Sequence, residues 1–285
     1  VCSSDLLHGM LSNDVKGLSP GQGCPAVLLT VKGRMVADLA VYDCEDGLLL
    51  EMEASVCEHV RADLDRHLIM DDAEVVDVSA DLHELGLFAA DPAGLAAFAA
   101  ELGAPTLSPY QHALVDTPVG PLRFAATREL GLPGLRVFGA AGPIEALRQR
   151  ASASGAHLLG DEQAEILRVE AGVPRYGLDM DDDRLPIEAN LDHAVSTTKG
   201  CYLGQEPIAR LSARGHVNRR LLGLRLRLPE GAALPPRGAA LRHPSREAAG
   251  SVTTAVYSPR HGAIALGYVH RSLWEPGTTL TIDRI

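Results

Sequence analysis

Lysine is nearly absent from this chain, for the 26 basic residues include only Lys16, Lys32 and Lys199. Acidic residues number 37 and leave a net charge of −11, which excludes a general affinity for nucleic acid or anionic membranes, although a local basic patch can still hold an anion. Cysteine is scarce and poorly spaced. Cys2, Cys24, Cys44, Cys57 and Cys201 make an odd set with no CxxC or CxxxC, so neither a disulfide framework nor a metal site is expected. No apolar run approaches the ~18 residues of a membrane span. The N-terminus has no basic stretch leading into an apolar one, and the sequence reads as soluble and cytoplasmic. A nucleophile elbow, GxGxxG, GxxxxGK[ST] and HExxH are all missing, which removes support for those enzyme classes. The chain opens on Val1 and runs almost at once into a helix-like LLHGMLSND, so a preceding segment is expected to be missing.

The 46% hydrophobic content is ample for real cores in 285 residues. Short β-rich runs at 26–30, 35–42 and 48–52, separated by KG and EDG turns, predict an antiparallel meander. Val56, Val60, Leu64 and Leu68 recur at helical spacing, and 74–78 reads as a strand. Asp91-Pro92 marks a helix start before 93–102. Strand-like runs at 113–116, 122–126 and 135–138 then precede helices over 143–152 and 162–171, the latter capped by Asp161 and stopped by Gly172. From Arg219 onward the chain consists of short β runs at 221–228, 252–257, 264–269 and 278–282, broken by PP, HP, SP and EPG turns. The fold class is therefore α+β: two packed α+β units, 1–104 and 105–216, followed by a small all-β barrel, 217–285.

The densest chemistry lies in Lys199-Gly200-Cys201-Tyr202-Leu203-Gly204-Gln205-Glu206. If this segment is extended, Lys199 and Cys201 share a face, and a nearby ammonium favours thiolate over thiol. The plainer alternative is a packing cysteine beside turn-forming glycines. Downstream, Arg210, Arg214, Arg219 and Arg220 surround His216, as either a solvated edge or a cradle for a carboxylate. The acidic run Asp179, Asp181, Asp182, Asp183 lacks the ligand alternation of a calcium loop and reads as a solvated turn.

KGCYLGQE resembles the signature of the YgfZ-type folate-binding proteins, relatives of the glycine-cleavage aminomethyltransferase linked to iron–sulfur cluster synthesis or repair. LSNDV, LLTVKGRMVADLAVY, LRVEAGVPRYGLDMDDDRLPIEANL and GSVTTAVYSPRHGAIALGYV extend the likeness along nearly the whole chain. The resemblance implies a tetrahydrofolate-binding accessory protein that meets iron–sulfur client or assembly proteins, with Cys201 as its reactive thiol and Lys199 beside it. It implies a carboxylate at Glu170 gripping the pterin's amino and ring N–H fork, although a helix-end pair with Arg168 would satisfy Glu170 equally. Arg168, Tyr176, Asn190, Tyr202 and Asp38 complete the expected folate contacts, with Glu188 a further polar candidate.

The alternative is a folate-dependent aminomethyltransferase or other one-carbon transferase; a third reading is a binding module without chemistry. Against the transferase stands Ala37, which replaces the first of two acidic residues that the aminomethyltransferases carry in this strand. Because neighbouring strand side chains face opposite ways, Asp38 is not expected to substitute for it.

Overall fold

The computed structural model describes residues 3–68, 73–229 and 231–282. Its first sheet is the antiparallel meander expected from the apolar runs: β1 (Gly23–Leu29), β2 (Met35–Asp43) and β3 (Leu48–Met52), in that order. The helices α1 (Ser3–Met10) and α2 (Ala54–Asp65) cover one face. Val56, Val60 and Leu64 of α2 and Leu7 and Met10 of α1 join Ala37, Leu39 and Val41 of β2 in one core. Each lies on a single helical or strand face, as periods of 3.6 and 2 require.

The second sheet has the order β4 (His83–Phe88), β7 (Gly134–Gly139), β6 (Gly120–Thr127), β5 (His112–Thr117), again antiparallel. It is backed by α3 (Pro92–Glu101) and α4 (Ala141–Ala153), with Ala99, Leu102, Leu122, Phe124, Val137 and Leu147 in the core between them. Asp91 caps α3 as its sequence demands, accepting from Ala93 N at 3.0 Å and Gly94 N at 3.1 Å. The expected strand at 74–78 is not formed. The pairing strand comes later, at β4, because its partner β7 is far along the chain and local propensity carries no sign of it. β4 and α3 precede residue 104 yet pair and pack with elements that follow it. The two sheets meet through Ala40 and Tyr42 of β2 against Ala125 and Phe138.

α5 (Asp161–Ala171) ends at Gly172 in the left-handed region, φ 73, as the sequence implies. Its start is one residue earlier than expected: Gly160 is the capping position, where its N–H donates to Gln163 Oε1 at 3.0 Å, and Asp161 is the first helical residue. After α6 (Gln205–Arg214), the remaining strands β8 (Arg219–Arg225), β9 (Ala240–His243), β10 (Arg246–Ser258), β11 (Gly262–His270) and β12 (Thr281–Ile282) form a five-stranded antiparallel sheet. The C-terminal module is thus all β. Among the described residues no helix is long and apolar enough to cross a membrane.

One carboxylate ties these parts together. Asp179 is fully buried rather than solvated: it accepts from Arg168 Nη1 at 2.6 Å, from Arg175 N at 3.1 Å and from Thr254 Oγ1 at 2.8 Å, with Thr253 Oγ1 at 2.5 Å. α5, the loop after it and β10 all converge on this group. Replacing one partner of a buried ion pair strands the other charge, so Asp179→Ala is expected to destabilise the fold by about 3–5 kcal/mol in urea denaturation. A loss under 1 kcal/mol would show that the module docks without it.

Candidate functional site

Between the sheets lies a cavity of about 810 Å³, walled by β2, β3, β7, the Pro109-Tyr110 turn, α5 and the loops at 172–176 and 190–194. Its floor is the face of β2 that looks away from α1 and α2. Since Ala37, Leu39 and Val41 pack toward the helices, the alternate residues Asp38, Ala40 and Tyr42 look into the space between the sheets. This corrects the reading of the strand: Ala37 occupies the apolar core, where a carboxylate would be costly, and Asp38 is the one of the two that faces the cavity.

Cross-strand register extends the pattern. Ala40 stands opposite Glu51 and Leu39 opposite Met52, so Asp38, Glu51 and Glu53 share one acidic neighbourhood on the β2–β3 face. Two of the three have arginine partners. Glu51 Oε1 accepts from Arg136 Nη1 at 2.6 Å, and Arg136 also binds Glu84 at 2.7 Å and Glu129. Glu53 holds Arg175 through contacts of 2.8 and 3.2 Å. Among the described residues Asp38 makes no ion pair and its buried Oδ1 has no hydrogen-bond partner, although the Arg136 charge still acts on it. Burial pushes the Asp38 carboxyl up to about 6, with the Glu53 charge adding to the effect. Burial likewise pushes Glu51 up to about 7 against the lowering effect of Arg136.

Other expected contacts divide. Arg168, Tyr176 and Asn190 lie on the cavity wall. Arg168 is already held by Glu165 and Asp179. Asn190 donates to Leu221 O at 2.8 Å, and the Tyr176 hydroxyl reaches Met35 O at 3.5 Å. Glu170 is not brought to the cavity. Asp161, Ala164, Glu165 and Arg168 share the cavity face of α5, whereas Glu170, two residues past Arg168, is turned by roughly 200°. It accepts from Ser258 Oγ at 2.5 Å and approaches Arg260 at 3.7 Å, on the C-terminal module. Glu188 pairs with Arg219 at 3.0 Å, Arg220 with Asp192 at 2.9 Å and Arg210 with Glu206 at 3.2 Å, so these arginines form no cradle on the cavity wall.

KGCYLGQE is mostly a clamp. Its first half is irregular rather than extended, and Gln205 opens α6. Lys199 Nζ donates to the carbonyls of His8, of Leu11 at 2.7 Å and of Asn13 at 2.9 Å, closing the end of α1. An ammonium with all three hydrogens so used is committed to the helix end rather than to the thiol. Burial holds it down to about 8. Tyr202 is buried in a core with Val27, Met35 and Ile208, 5.1 Å beneath the Lys199 ammonium, and does not face the cavity. Gly204 has φ 77, and a Cβ there would meet Thr30 O at 2.3 Å, so only glycine fits. Cys201 is exposed, unlike the other cysteines among the described residues. Among the described residues no cluster of His, Cys, Asp and Glu could hold a metal.

The residues missed in the sequence are Glu51, Arg136, Glu53, Arg175 and Tyr110. A glutamate inside the apolar run LLLEM was the available signal for the first of these; the arginines became recognisable only through contacts across the fold.

With this geometry in place, the relatives are informative. Residues 219–284 match the glycine cleavage T-protein C-terminal barrel domain. The chain is 30% identical to the aminomethyltransferase of Synechococcus sp. (strain WH7803) across 98% of its own length and 78% of the relative's. It belongs to the aminomethyltransferase family. Within that family it is also 29% identical to the mitochondrial aminomethyltransferase of Gallus gallus, over 97% of this chain and 72% of the other. The fold matches the crystal structure of the glycine cleavage system aminomethyltransferase T from Bartonella henselae with a TM-score of 0.84, at 23% identity, covering 99% of this chain and 77% of that one.

The raised cavity carboxylates give this family member a pH signature. A carboxyl whose folded value lies above its unfolded one stabilises the fold below the unfolded value, and that stability is lost as pH rises through the folded value. For Asp38 and Glu51 the loss falls between about pH 4 and pH 7. Asp38→Asn is therefore expected to gain on the order of 1–3 kcal/mol over wild type at pH 8 and little at pH 4.5. Urea denaturation across that range measures the difference, and a gain independent of pH would remove Asp38 as a titrating group.

Proposed function

We propose that this protein is a folate-dependent one-carbon transferase of the aminomethyl-transfer type, with Asp38 as its acid–base group. The observation that carries the reading is the unpaired Asp38: its neighbours Glu51 and Glu53 on the cavity face form ion pairs with arginines, whereas among the described residues Asp38 forms none and its buried Oδ1 has no hydrogen-bond partner. A carboxyl poised at about 6 can both take and return a proton near neutral pH, which a carboxylate at its usual value does poorly.

The cavity suits tetrahydrofolate in size and chemistry. Its volume lies within the usual range for small-molecule sites. Tyr42, Tyr110 and Tyr176 supply flat apolar surface. Glu51 and Glu165 on the walls are carboxylates of the kind that accept an amino and ring N–H fork. Tetrahydrofolate, when bound, supplies the ring nitrogens that take up a one-carbon unit. Asp38 would hold or release the proton there, Arg136 would keep Glu51 in place, and the Glu53–Arg175 pair would fasten the 173–176 loop over the β3 edge.

A second reading, the YgfZ-type accessory role in iron–sulfur cluster synthesis or repair, rests on Cys201. It sits in KGCYLGQE, where Lys199, Tyr202 and Gly204 have structural duties and the exposed thiol has none. A thiol there could meet a client protein.

Two measurements separate these readings. Tetrahydrofolate should bind the purified protein in titration calorimetry, and Asp38→Asn should keep affinity within a few-fold while lowering aminomethyl transfer by about 10²–10⁴. Undiminished turnover by the asparagine variant would sink the catalytic assignment. For the second reading, Cys201→Ser should fail to restore iron–sulfur enzyme activity in a deletion strain, because a serine hydroxyl is a poor soft-metal or persulfide ligand. Full rescue would reduce Cys201 to a surface residue.

A further inference from the structure

The turn entering β5 contains a backbone anomaly at the cavity wall. Ser108-Pro109-Tyr110-Gln111 is closed by Gln111 N donating to Ser108 O at 2.8 Å, and braced by Ser108 N donating to Gln111 Oε1 at 2.9 Å. Pro109 fits the second position of such a turn, whose third position then requires positive φ and ordinarily takes glycine. Here that position is Tyr110, at φ 64. Left-handed backbone is uncommon for a bulky aromatic residue and carries strain, and residues so held gather at ligand sites. A glycine would relax this turn, so a tyrosine retained here points to a use for its side chain.

Its surroundings indicate that use. Tyr110 lines the cavity and packs against the cluster of Ala40, Tyr42, Ala125 and Phe138. Its hydroxyl has no hydrogen-bond partner among the described residues, although Asp38, Glu51 and Arg136 are close enough to act on it electrostatically. The turn is also fixed from both sides. Tyr110 N donates to Ala126 O at 3.0 Å, and Gly23 of β1 lacks a side chain where a Cβ would come within 2.8 Å of Tyr110 O. The strained tyrosine is thus pressed onto the first sheet rather than left at a loop tip.

We propose that Tyr110 is a ligand-contacting residue of the cavity, its ring a platform for a flat heterocycle and its hydroxyl a donor to the polar edge held next to Asp38. This rests on the folate reading and names one of the residues by which the site would grip its ligand. Aromatic content of only 4% makes such a platform a limited resource in this chain.

The test compares wild type, Tyr110→Phe and Tyr110→Gly for tetrahydrofolate affinity by calorimetry and for thermal midpoint. Tyr110→Phe, which keeps the ring and the backbone, should hold its midpoint and bind about three- to tenfold more weakly, the scale of one hydrogen bond. Tyr110→Gly should bind more weakly still, with a midpoint that falls less than that of a core-tyrosine variant such as Tyr42→Gly, because glycine relieves the strain. If wild type binds and both variants match it, Tyr110 is only a packing residue and the proposal is overturned, with the folate reading intact. Failure of wild type itself to bind would instead overturn the folate reading and this proposal with it. Should Tyr110→Gly not fold, Tyr110→Phe decides alone.

Discussion

The contact on which the rest of this molecule depends is the buried pair between Arg168 and Asp179. Moving two charges out of water is costly, and the attraction between them offsets that cost only when their remaining donors and acceptors are also satisfied. Here they are. Asp179 collects two threonine hydroxyls and a backbone N–H besides the guanidinium, and Arg168 spends its other edge on Glu165. The consequence is geometric. One end of Arg168 stands in the cavity wall and the other reaches β10, so the face that α5 shows the cavity and the docking of the C-terminal module are set by the same group. The backbone N–H of Arg175, bound to the same carboxylate, places the loop that carries the Arg175–Glu53 pair.

From that frame follows the charge pattern of the cavity. The β2–β3 face projects carboxylates whose mutual repulsion would be unfavourable without compensation. The compensation comes from other parts of the fold, Arg136 from the second sheet and Arg175 from the loop behind α5. Asp38 is the remainder. Its environment is acidic and dehydrated, and both factors favour a bound proton at Asp38. The reactivity of such a site resides less in one residue than in which carboxylates the fold has already matched.

Most of the architecture was legible because it rests on local signals. The meander, the capped α3, the glycine stop of α5 and the β-rich C-terminal module each follow from periodicity or turn chemistry within a few residues. The facing of β2 was not legible, and the reason is physical. In MVADLAVY both sides of the strand are buried, one under helices and one against a second sheet, so alternation offers no contrast between inside and outside. Parity could say that Ala37 and Asp38 face oppositely, but not which of them meets the cavity. Glu170 is a different case. Helical spacing alone places it well away from Arg168 on α5, so expecting both at one ligand passed over geometry already contained in the sequence. The pairing of β4 with β7, nearly fifty residues on, had no local signature at all.

KGCYLGQE shows how a strong motif divides once its atoms are placed. Lysine at 199 fits because a flexible ammonium can reach three carbonyls at the end of α1, a geometry the planar fork of arginine does not match; this explains its survival in a chain that otherwise prefers arginine. Glycine at 204 follows from the approach of Thr30 O, and the Leu203 N–H bonded to Gly9 O at 2.9 Å draws the same segment onto α1. In this chain, then, Lys199 and Gly204 are accounted for by the closing of the fold. Cys201, exposed and without a structural duty, is the position on which the accessory reading turns. The functional question therefore divides between two places in the molecule: the unmatched carboxylate inside the cavity and the unengaged thiol on the surface.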